Sequence, residues 1–278
     1  MKNSTEKCGG KILKSLNNEI CVKCGICAVN CPMGLIKLND FPEISEEAQN
    51  LCNKCDHCAA ICPEGAIGSS DFELGAAGTI PLINPENMAL HMKSRRSIRN
   101  YSNKPIKRET LGEIFEIIRY APTASNGQPV QWTVINHPEK VRQISARTIK
   151  WMREFSERNP SLTDRMSFEG MTKSWDQGDD PILRNAPCLV VVHAPSDNRM
   201  AFTDGIIALT HLDLTLPSFG MGGCWAGLLN IACNQNPLLK SVMGVPEENA
   251  VIYPFMVGYP KYQYQKIPER NQPKIIWE

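Results

Sequence analysis

Eight cysteines near the N-terminus of this 278-residue chain stand in two runs with the same internal spacing. The two runs consist of Cys21, Cys24, Cys27 and Cys31, and of Cys52, Cys55, Cys58 and Cys62. A constant offset of 31 residues superimposes the cysteines, and it also superimposes Pro32 on Pro63. Because cysteines placed by chance would not repeat in register, the two runs are copies of one structural unit.

The spacing within each run is typical of cysteines that hold cubane iron–sulfur clusters. Three cysteines on a tight loop reach three irons of one cube, and the cysteine before proline turns away to the other cube. This geometry assigns cluster one to Cys21, Cys24, Cys27 and Cys62, and cluster two to Cys31, Cys52, Cys55 and Cys58. Structural zinc usually takes separated cysteine pairs, and disulfides belong to oxidising compartments, so both alternatives are disfavoured. The sequence therefore predicts two [4Fe–4S] clusters that carry electrons.

Composition divides the chain into two domains. The segment from about Glu19 to Ser70 resembles bacterial two-cluster ferredoxins, and the small residues between Gly68 and Gly78 are typical of a flexible linker. We expect a two-[4Fe–4S] ferredoxin-like domain with its linker over residues 1–78, and a second domain over residues 79–278. The first domain is too small to be ordered by an apolar core, so its clusters should supply much of its folding free energy.

The charge balance excludes several classes of partner. With 30 basic and 29 acidic residues, the net charge of +1 argues against nucleic acid or an acidic membrane surface as the main partner. Residues Met1–Gly10 are polar, so no signal peptide is expected. The longest uncharged stretch, Leu214–Leu239, contains two prolines and four glycines, which argues against a membrane span. Abundant free thiol in such a chain favours a cytoplasmic location.

Hydrophobic periodicity predicts an α+β second domain. Leu111, Ile114, Phe115 and Ile118 recur at helical spacing, so a helix is expected over Lys107–Tyr120. Further helices are predicted over Pro85–Lys93, Glu139–Phe155 and Met200–Leu216, and strands over Gln131–Asn136, Leu189–Val192 and Ala250–Val257. The polar segment Asn159–Asp180 is predicted to be irregular and is interpreted as a lid.

Three segments of the second domain are candidates for ligand binding. Arg95–Tyr101 places three arginines within five residues and could clamp a phosphate, although a solvated basic helix end has the same composition. Ala121–Pro129 is rich in hydroxyl and amide groups, a composition that on its own favours an ordinary helix-ending loop. Gly220–Gly227 would let backbone amides approach a flat ligand, and it lacks the pattern of either common nucleotide-binding motif.

In this order and spacing, the three segments resemble the nitroreductase family of flavoproteins over residues 85–270, and the whole chain resembles a ferredoxin–nitroreductase fusion protein. The resemblance implies an α+β sandwich that forms an intertwined homodimer with one FMN in each of two interface sites. The FMN contacts that it implies are Arg95, Arg96, Ser97 and Arg99, then Pro122, Thr123, Ala124 and Asn126 from across the interface, then Ala226, Gly227 and Leu228 near flavin N5, and Arg270 near the phosphate.

The resemblance implies an FMN-dependent oxidoreductase that receives single electrons through the clusters and reduces a small acceptor, such as a nitro compound or a quinone. Because the chain has no dinucleotide-binding motif and carries its own clusters, we expect an external low-potential electron donor such as ferredoxin rather than a nicotinamide. Two alternatives stay open: a reductase of the same fold that acts on a halogenated substrate or an activated C=C bond, and a non-enzymatic electron carrier or redox sensor. We expect no catalytic acid–base residue, and we expect the histidines to be structural.

Overall fold

The computed structural model describes residues 15–45, 49–68, 78, 80–159 and 167–278. Contacts divide the chain into two compact units. The first extends through Leu82 and includes Ser125–Gly127, and the second comprises Ile83–Ala124 and Gln128–Glu278. The domain boundary expected at residue 78 stays a prediction, because most of the linker lies outside the described residues. No helix in the described ranges is long and apolar enough to cross a membrane.

Short elements hold the first unit together. In chain order they are β1 (Ser15–Leu16), α1 (Ile26–Asn30), β2 (Lys37–Leu38), β3 (Pro42–Glu43), α2 (His57–Ala60) and β4 (Ile67–Gly68). β1 pairs antiparallel with β4, and β2 with β3. The apolar core of this unit is small: Ile36 and Ile67, which are equivalent in the repeat, pack with Ala59 and Cys27.

The repeat seen in the cysteines is also present in the backbone of the first unit. Three pairs of residues, each 31 positions apart, adopt left-handed φ values: Lys23 and Lys54, Gly25 and Asp56, Gly34 and Gly65. Residues other than glycine rarely adopt this conformation. The two cysteine loops therefore follow the same strained path, as two copies of one binding loop would.

The second unit is built on a four-stranded antiparallel sheet. Its strands are β5 (Gln131–Ile135), β6 (Cys188–Pro195), β7 (Gly222–Trp225) and β8 (Asn249–Gly258). The order across the sheet is β5–β6–β8–β7, which leaves β5 and β7 at the edges. Side chains of β6 alternate between two cores: Leu189 and Val191 enter one, Val190 and Val192 enter the other. Burial on both faces explains why this strand is a continuous apolar run.

Helices cover both faces of this sheet and make it an α+β sandwich. The helices of this unit are α3 (Pro85–Ser94), which has no buried residue, and α4 (Arg108–Ile118), α5 (Pro138–Arg158), α6 (Phe168–Asp176), α7 (Ala201–Thr215), α8 (Gly227–Gln235) and α9 (Pro237–Met243). α4 and α7 share one apolar core with the sheet, and α5, α6, α8 and α9 share the other.

One predicted segment was wrong in part. The polar stretch Asn159–Asp180, interpreted as an irregular lid, contains helix α6, although residues 160–166 lie outside the described residues. Phe168 is 1% exposed, and its ring lies 6.0 Å from that of Trp151. Met171 and Trp175 follow at helical spacing and pack against the same core. This apolar stripe overrides the polar composition that suggested a loop.

A buried polar network joins three strands at one end of the sheet. His193 is 3% exposed, and its Nδ1 accepts a hydrogen bond from Asn249 Nδ2 at 2.8 Å. The other ring nitrogen, Nε2, therefore carries the proton and donates to Thr133 Oγ1 at 3.0 Å. Burial lowers the pKa of His193 from the ordinary value of 6.5, and Lys240 lowers it further. The network is thus satisfied by the neutral imidazole.

We predict that His193 makes the fold sensitive to mild acid. Because its pKa is lower in the folded state, the unfolded state binds more protons below about pH 6.5, and the free energy of unfolding falls as the pH drops through that value. Thermal unfolding between pH 7.5 and pH 5.5 should show this loss in the wild type and less of it in His193→Gln. His137→Gln, at an exposed position, is the control. An unchanged pH slope in His193→Gln would contradict the assignment.

Candidate functional site

The eight cysteines surround two cavities in the first unit. One cavity is lined by Cys21, Cys24, Cys27 and Cys62. A second is lined by Cys31, Cys52, Cys55 and Cys58. Each cavity thus gathers three cysteines from one run and the cysteine before proline from the other. This grouping supports the crossed ligand sets, and the residues present fit two cubane clusters.

Cysteine sulfurs in these cavities accept hydrogen bonds from the backbone. Leu35 N–H donates to Cys31 Sγ at 3.3 Å, and Ala66 N–H, at the equivalent position of the repeat, donates to Cys62 Sγ at 3.2 Å. Such donors favour the thiolate and tune the potential of a bound cluster. Burial raises the pKa of the Cys58 thiol to about 11, so binding iron there must displace a proton.

No group of three or more metal-ligating side chains in the described ranges converges on a single ion position. A cubane needs a different arrangement, because each thiolate binds a different iron and the four sulfurs stand around the cube. The two cavities have this arrangement, with cysteines on their walls and apolar residues such as Val22 and Ile36 between them.

In the second unit, the first and third candidate segments lie against each other. Ile98 N–H donates to Gly223 O at 2.9 Å and joins the arginine segment to β7. A Cβ on Gly222 would stand 2.4 Å from Ile98 Cγ1, and one on Gly223 would stand 2.0 Å from the Phe255 ring. Glycine is therefore required at both positions. Because of this packing, a glycine-rich stretch forms strand β7, although glycine has a low propensity for strands.

The end of β7 leads into an open position at the start of α8. A Cβ added to Gly227 would meet one described atom within 4 Å, Tyr253 Oη at 3.5 Å. The first amides of a helix have no acceptor within it, so the N–H of Gly227 is free to face a ligand. Ala226 is buried and donates its N–H to Pro254 O, while Leu228 is half-buried. The three residues predicted to lie near flavin N5 thus have a fixed backbone, with open space beside Gly227.

The arginines of the first segment differ in their surroundings. Arg95 Nη1 lies 3.3 Å from Asp213 Oδ2, and Arg96 Nη1 donates to Arg95 O at 2.6 Å. Arg96 Nε is buried and has no hydrogen-bond partner in the described part of the chain. A buried donor of this kind needs an acceptor, and an anionic ligand would supply one. Ser97 is half-buried and Arg99 is exposed.

The second candidate segment is a strained loop after α4. Ser125, Asn126 and Gln128 all have positive φ, between 46° and 55°, which is costly for residues other than glycine. Thr123 Oγ1 accepts a hydrogen bond from Gln128 N–H at 3.0 Å, and Pro122 is exposed. Strained loops of this kind cluster at binding sites, which favours a ligand role over an ordinary turn.

Two predicted residues do not join the cradle of the second unit. Asn126 belongs to the first unit, where its Nδ2 donates to the carbonyls of Asn53 and Lys54 in the second cysteine loop. Arg270 lies in a C-terminal tail in which every residue from Lys261 to Glu278 is exposed. The FMN roles of both residues stay predictions.

Sequence reasoning missed two buried aspartates on α7. Asp204 Oδ1 accepts a hydrogen bond from Ala124 N–H at 3.0 Å, and Asp213 Oδ2 accepts one from Trp225 Nε1 at 3.2 Å. Burial raises the pKa of Asp213, against the lowering effects of Trp225 and Arg95. The signal was present in the sequence: two carboxylates on a helix that is otherwise apolar must be buried and must have partners.

Residues 92–259 match the nitroreductase family, and residues 20–67 match the 4Fe-4S dicluster domain. The chain belongs to the nitroreductase family. It is an oxidoreductase with a 4Fe–4S dicluster domain at its N-terminus, which confirms the predicted family and class of enzyme.

Two curated relatives align with the nitroreductase part. One, from Archaeoglobus fulgidus, has the provisional name NADH dehydrogenase/NAD(P)H nitroreductase; it is 26% identical over 173 residues, 60% of this chain and 82% of that protein. The other, the iodotyrosine deiodinase of Nematostella vectensis, is 21% identical over 181 residues, 61% of this chain and 65% of that protein. The chain therefore spans just under two thirds of the second relative.

Solved structures share the fold. A Bacteroides fragilis nitroreductase with bound FMN superimposes with a TM-score of 0.57 at 22% identity, and the match covers 70% of this chain and all of that one. An iodotyrosine deiodinase bound to FMN and 3-iodo-L-tyrosine gives 0.53 at 19% identity, covering 69% of this chain and 98% of that one. The predicted α+β architecture of this chain is confirmed.

Paired cysteine substitutions should reveal which residues share a cluster. With crossed ligand sets, Cys21→Ser with Cys62→Ser disrupts one cube, so about four of eight irons per chain should remain. Cys21→Ser with Cys31→Ser disrupts both cubes and should remove nearly all the iron. Iron and acid-labile sulfide, measured after anaerobic purification, distinguish the two cases. The reverse pattern would show that each run binds its own cluster.

Proposed function

We propose that this member of the nitroreductase family binds FMN and two [4Fe–4S] clusters, receives electrons one at a time through the clusters, and reduces a small organic acceptor. One observation carries the proposal: a single chain combines two cysteine-lined cavities with a glycine and arginine cradle suited to a flat anionic ligand. FMN in two solved structures of the same fold supports the choice of flavin.

Specific residues of the second unit would hold the FMN. Arg95, Arg96 and Ser97 would bind the phosphate and ribityl side, and the unpartnered Nε of Arg96 supports an anion there. Arg99 would stabilise negative charge at the N1–O2 edge, and Gly227 N–H would face N5 between Ala226 and Leu228. When bound, FMN accepts single electrons and delivers two together as a hydride. The chain's own residues bind and orient it.

Gly227→Ala tests the flavin cradle. The added methyl group meets no described protein atom closer than 3.5 Å, so the fold should accept it, whereas a flavin ring packed there should be displaced. We expect FMN affinity to fall by about tenfold, or about 1.4 kcal/mol. The measurement is fluorescence titration of flavin-free protein with FMN.

Gly112→Ala is the matched control for this substitution. A Cβ at Gly112, within α4, would meet no described atom within 4 Å. Alanine there should raise the melting temperature slightly, because alanine is the better helix former, and should leave FMN affinity unchanged. Equal FMN affinity in Gly227→Ala and Gly112→Ala would contradict the cradle.

A homodimer would complete the flavin site. The edge strand β5 pairs with β6 alone among the described strands, and it borders a groove lined by Phe115, Trp132 and Val134. Unpaired edges and exposed apolar tails favour association, and Trp277 in the tail is 86% exposed. We propose that Pro122, Thr123, Ala124 and Asn126 serve the flavin of a second copy, and that Arg270 reaches its phosphate. Monomeric, FMN-loaded protein in sedimentation would exclude this arrangement.

At two equivalent positions the first cysteine loop is more exposed than the second, which supports a direction of electron flow. In the first loop Val22 is 61% exposed and Cys24 is exposed. Their equivalents in the second loop, Asn53 and Cys55, are half-buried. A one-electron donor protein can approach the first loop closely. We therefore propose that electrons arrive at cluster one.

Substitution of Val22 tests the electron relay. Val22→Asp should slow flavin reduction by a reduced two-cluster ferredoxin severalfold, because a charge at the rim opposes docking of an acidic donor. Leu51→Asp, beside the second run and 63% exposed, is the matched control and should have little effect. Stopped-flow bleaching of the flavin band gives both rates, with dithionite as a donor that needs no docking. A slower reaction in Leu51→Asp alone would place electron arrival at the second loop.

The acceptor is proposed to be a nitro compound or a quinone. The provisional name of the Archaeoglobus relative supports a nitro substrate, while the Nematostella relative supports a reductive dehalogenation as the second candidate. Anaerobic turnover of ferredoxin-reduced protein with nitroaromatics, quinones and halophenols separates them. Failure with the entire panel would argue against both.

A further inference from the structure

Helix α7 is the element on which all three candidate flavin segments converge. Asp213 Oδ2 lies 3.3 Å from Arg95 Nη1 in the first segment and 3.2 Å from Trp225 Nε1 in the third. Nine residues earlier on the same helix, Asp204 Oδ1 accepts the N–H of Ala124 in the second segment at 3.0 Å. Segments more than a hundred residues apart in the chain are thus tied to two carboxylates.

The Asp213 carboxylate lies in a costly position. It is 7% exposed, and its neighbours on α7, Leu209 and Leu212, are completely or almost completely buried. Burial raises its pKa although both partners act in the opposite direction, so the ion pair does not fully offset desolvation. Buried ion pairs of this kind are often no more stabilising than apolar residues of similar size. We therefore infer that Asp213 contributes little to stability and serves to orient its two partners.

The contacts of Asp213 show what it orients. A guanidinium offers five donors in a fixed plane, so fixing Nη1 of Arg95 also fixes the directions of the others. The same carboxylate oxygen holds the indole of Trp225, two residues before Gly227. That indole is further packed edge-on against Tyr253, with ring centroids 5.0 Å apart. One atom thereby sets the spacing between the phosphate side and the ring side of the cradle.

We propose that Asp213 is a positioning residue for FMN, which orients Arg95 toward the flavin phosphate while it anchors the backbone that meets the ring. The inference rests on the proposed FMN site and adds a residue that the family resemblance did not supply. Asp204, which accepts a backbone N–H, needs only an acceptor oxygen, whereas Asp213 needs its charge.

The two aspartates provide a matched experiment. Asp213→Asn keeps an acceptor oxygen for Trp225 but removes the charge that holds Arg95. Asp204→Asn keeps the acceptor oxygen for Ala124, and no arginine depends on the charge that it removes. Flavin-free protein with intact clusters is titrated with FMN and with riboflavin, which lacks the phosphate. Asp213→Asn should weaken FMN about tenfold, the scale of one charge-assisted hydrogen bond, and riboflavin much less. Asp204→Asn should leave both affinities nearly unchanged.

A melting curve of each flavin-free variant separates positioning from stability. Asp213→Asn should melt close to the wild-type temperature, because the Arg95 side chain is 26% exposed and stays accessible to water when its partner is neutralised. Equal losses of FMN and riboflavin affinity, or a lower melting temperature, would show a structural role and overturn the proposal. Tighter FMN binding by Asp213→Asn would also overturn it, because the Asp213 carboxylate would then be repelling the flavin phosphate. If the wild type binds no FMN, the proposed function fails instead.

Discussion

Burial of β6 on both faces is the interaction on which the second unit depends. Its alternating side chains join two apolar cores, so helices must cover both sides of the sheet. That requirement brings α7 against one face and the start of α8 to the end of β7. The candidate flavin site lies where these elements meet, at Trp225 and Gly227. The site is therefore a consequence of how the sheet is covered.

The first unit depends on a different interaction. Its apolar core is limited to a few side chains around Ile36 and Ile67, while cavities lined with cysteines occupy its interior. Metal–thiolate bonds must take the place of hydrophobic burial, and the strained left-handed residues of each loop are tolerable because cluster binding fixes them. The order of this unit and the electron transfer proposed for it thus have the same origin, and loss of a cluster should weaken both.

The sequence predicted best those features that depend on local spacing. Cysteine intervals are local, and each predicted ligand set lines one cavity. Continuous apolar stretches likewise predicted α7 to within one residue at each end, and they predicted the central half of β6. Strand β7 escaped prediction because Gly222 and Gly223 are required by contacts with Ile98 and Phe255, which are distant in sequence. Asp213 escaped because a charge on an apolar helix indicates burial but does not identify its partners. Both features depend on tertiary contacts, which the local sequence pattern does not reveal.

The union of two cofactor types in one chain has a physical rationale. An iron–sulfur cluster transfers one electron at a time, whereas reduction of an organic acceptor by a flavin requires two. A flavin protein with a separate donor must meet it twice for each turnover, and each meeting is limited by diffusion. In the proposed relay, a one-electron donor still meets the chain twice, but the clusters store the electrons it delivers and pass them to the flavin in intramolecular steps at high effective concentration. The two clusters of this proposed relay can hold both electrons before the acceptor binds. A partly reduced flavin then need not wait for another donor, which shortens its exposure to side reactions.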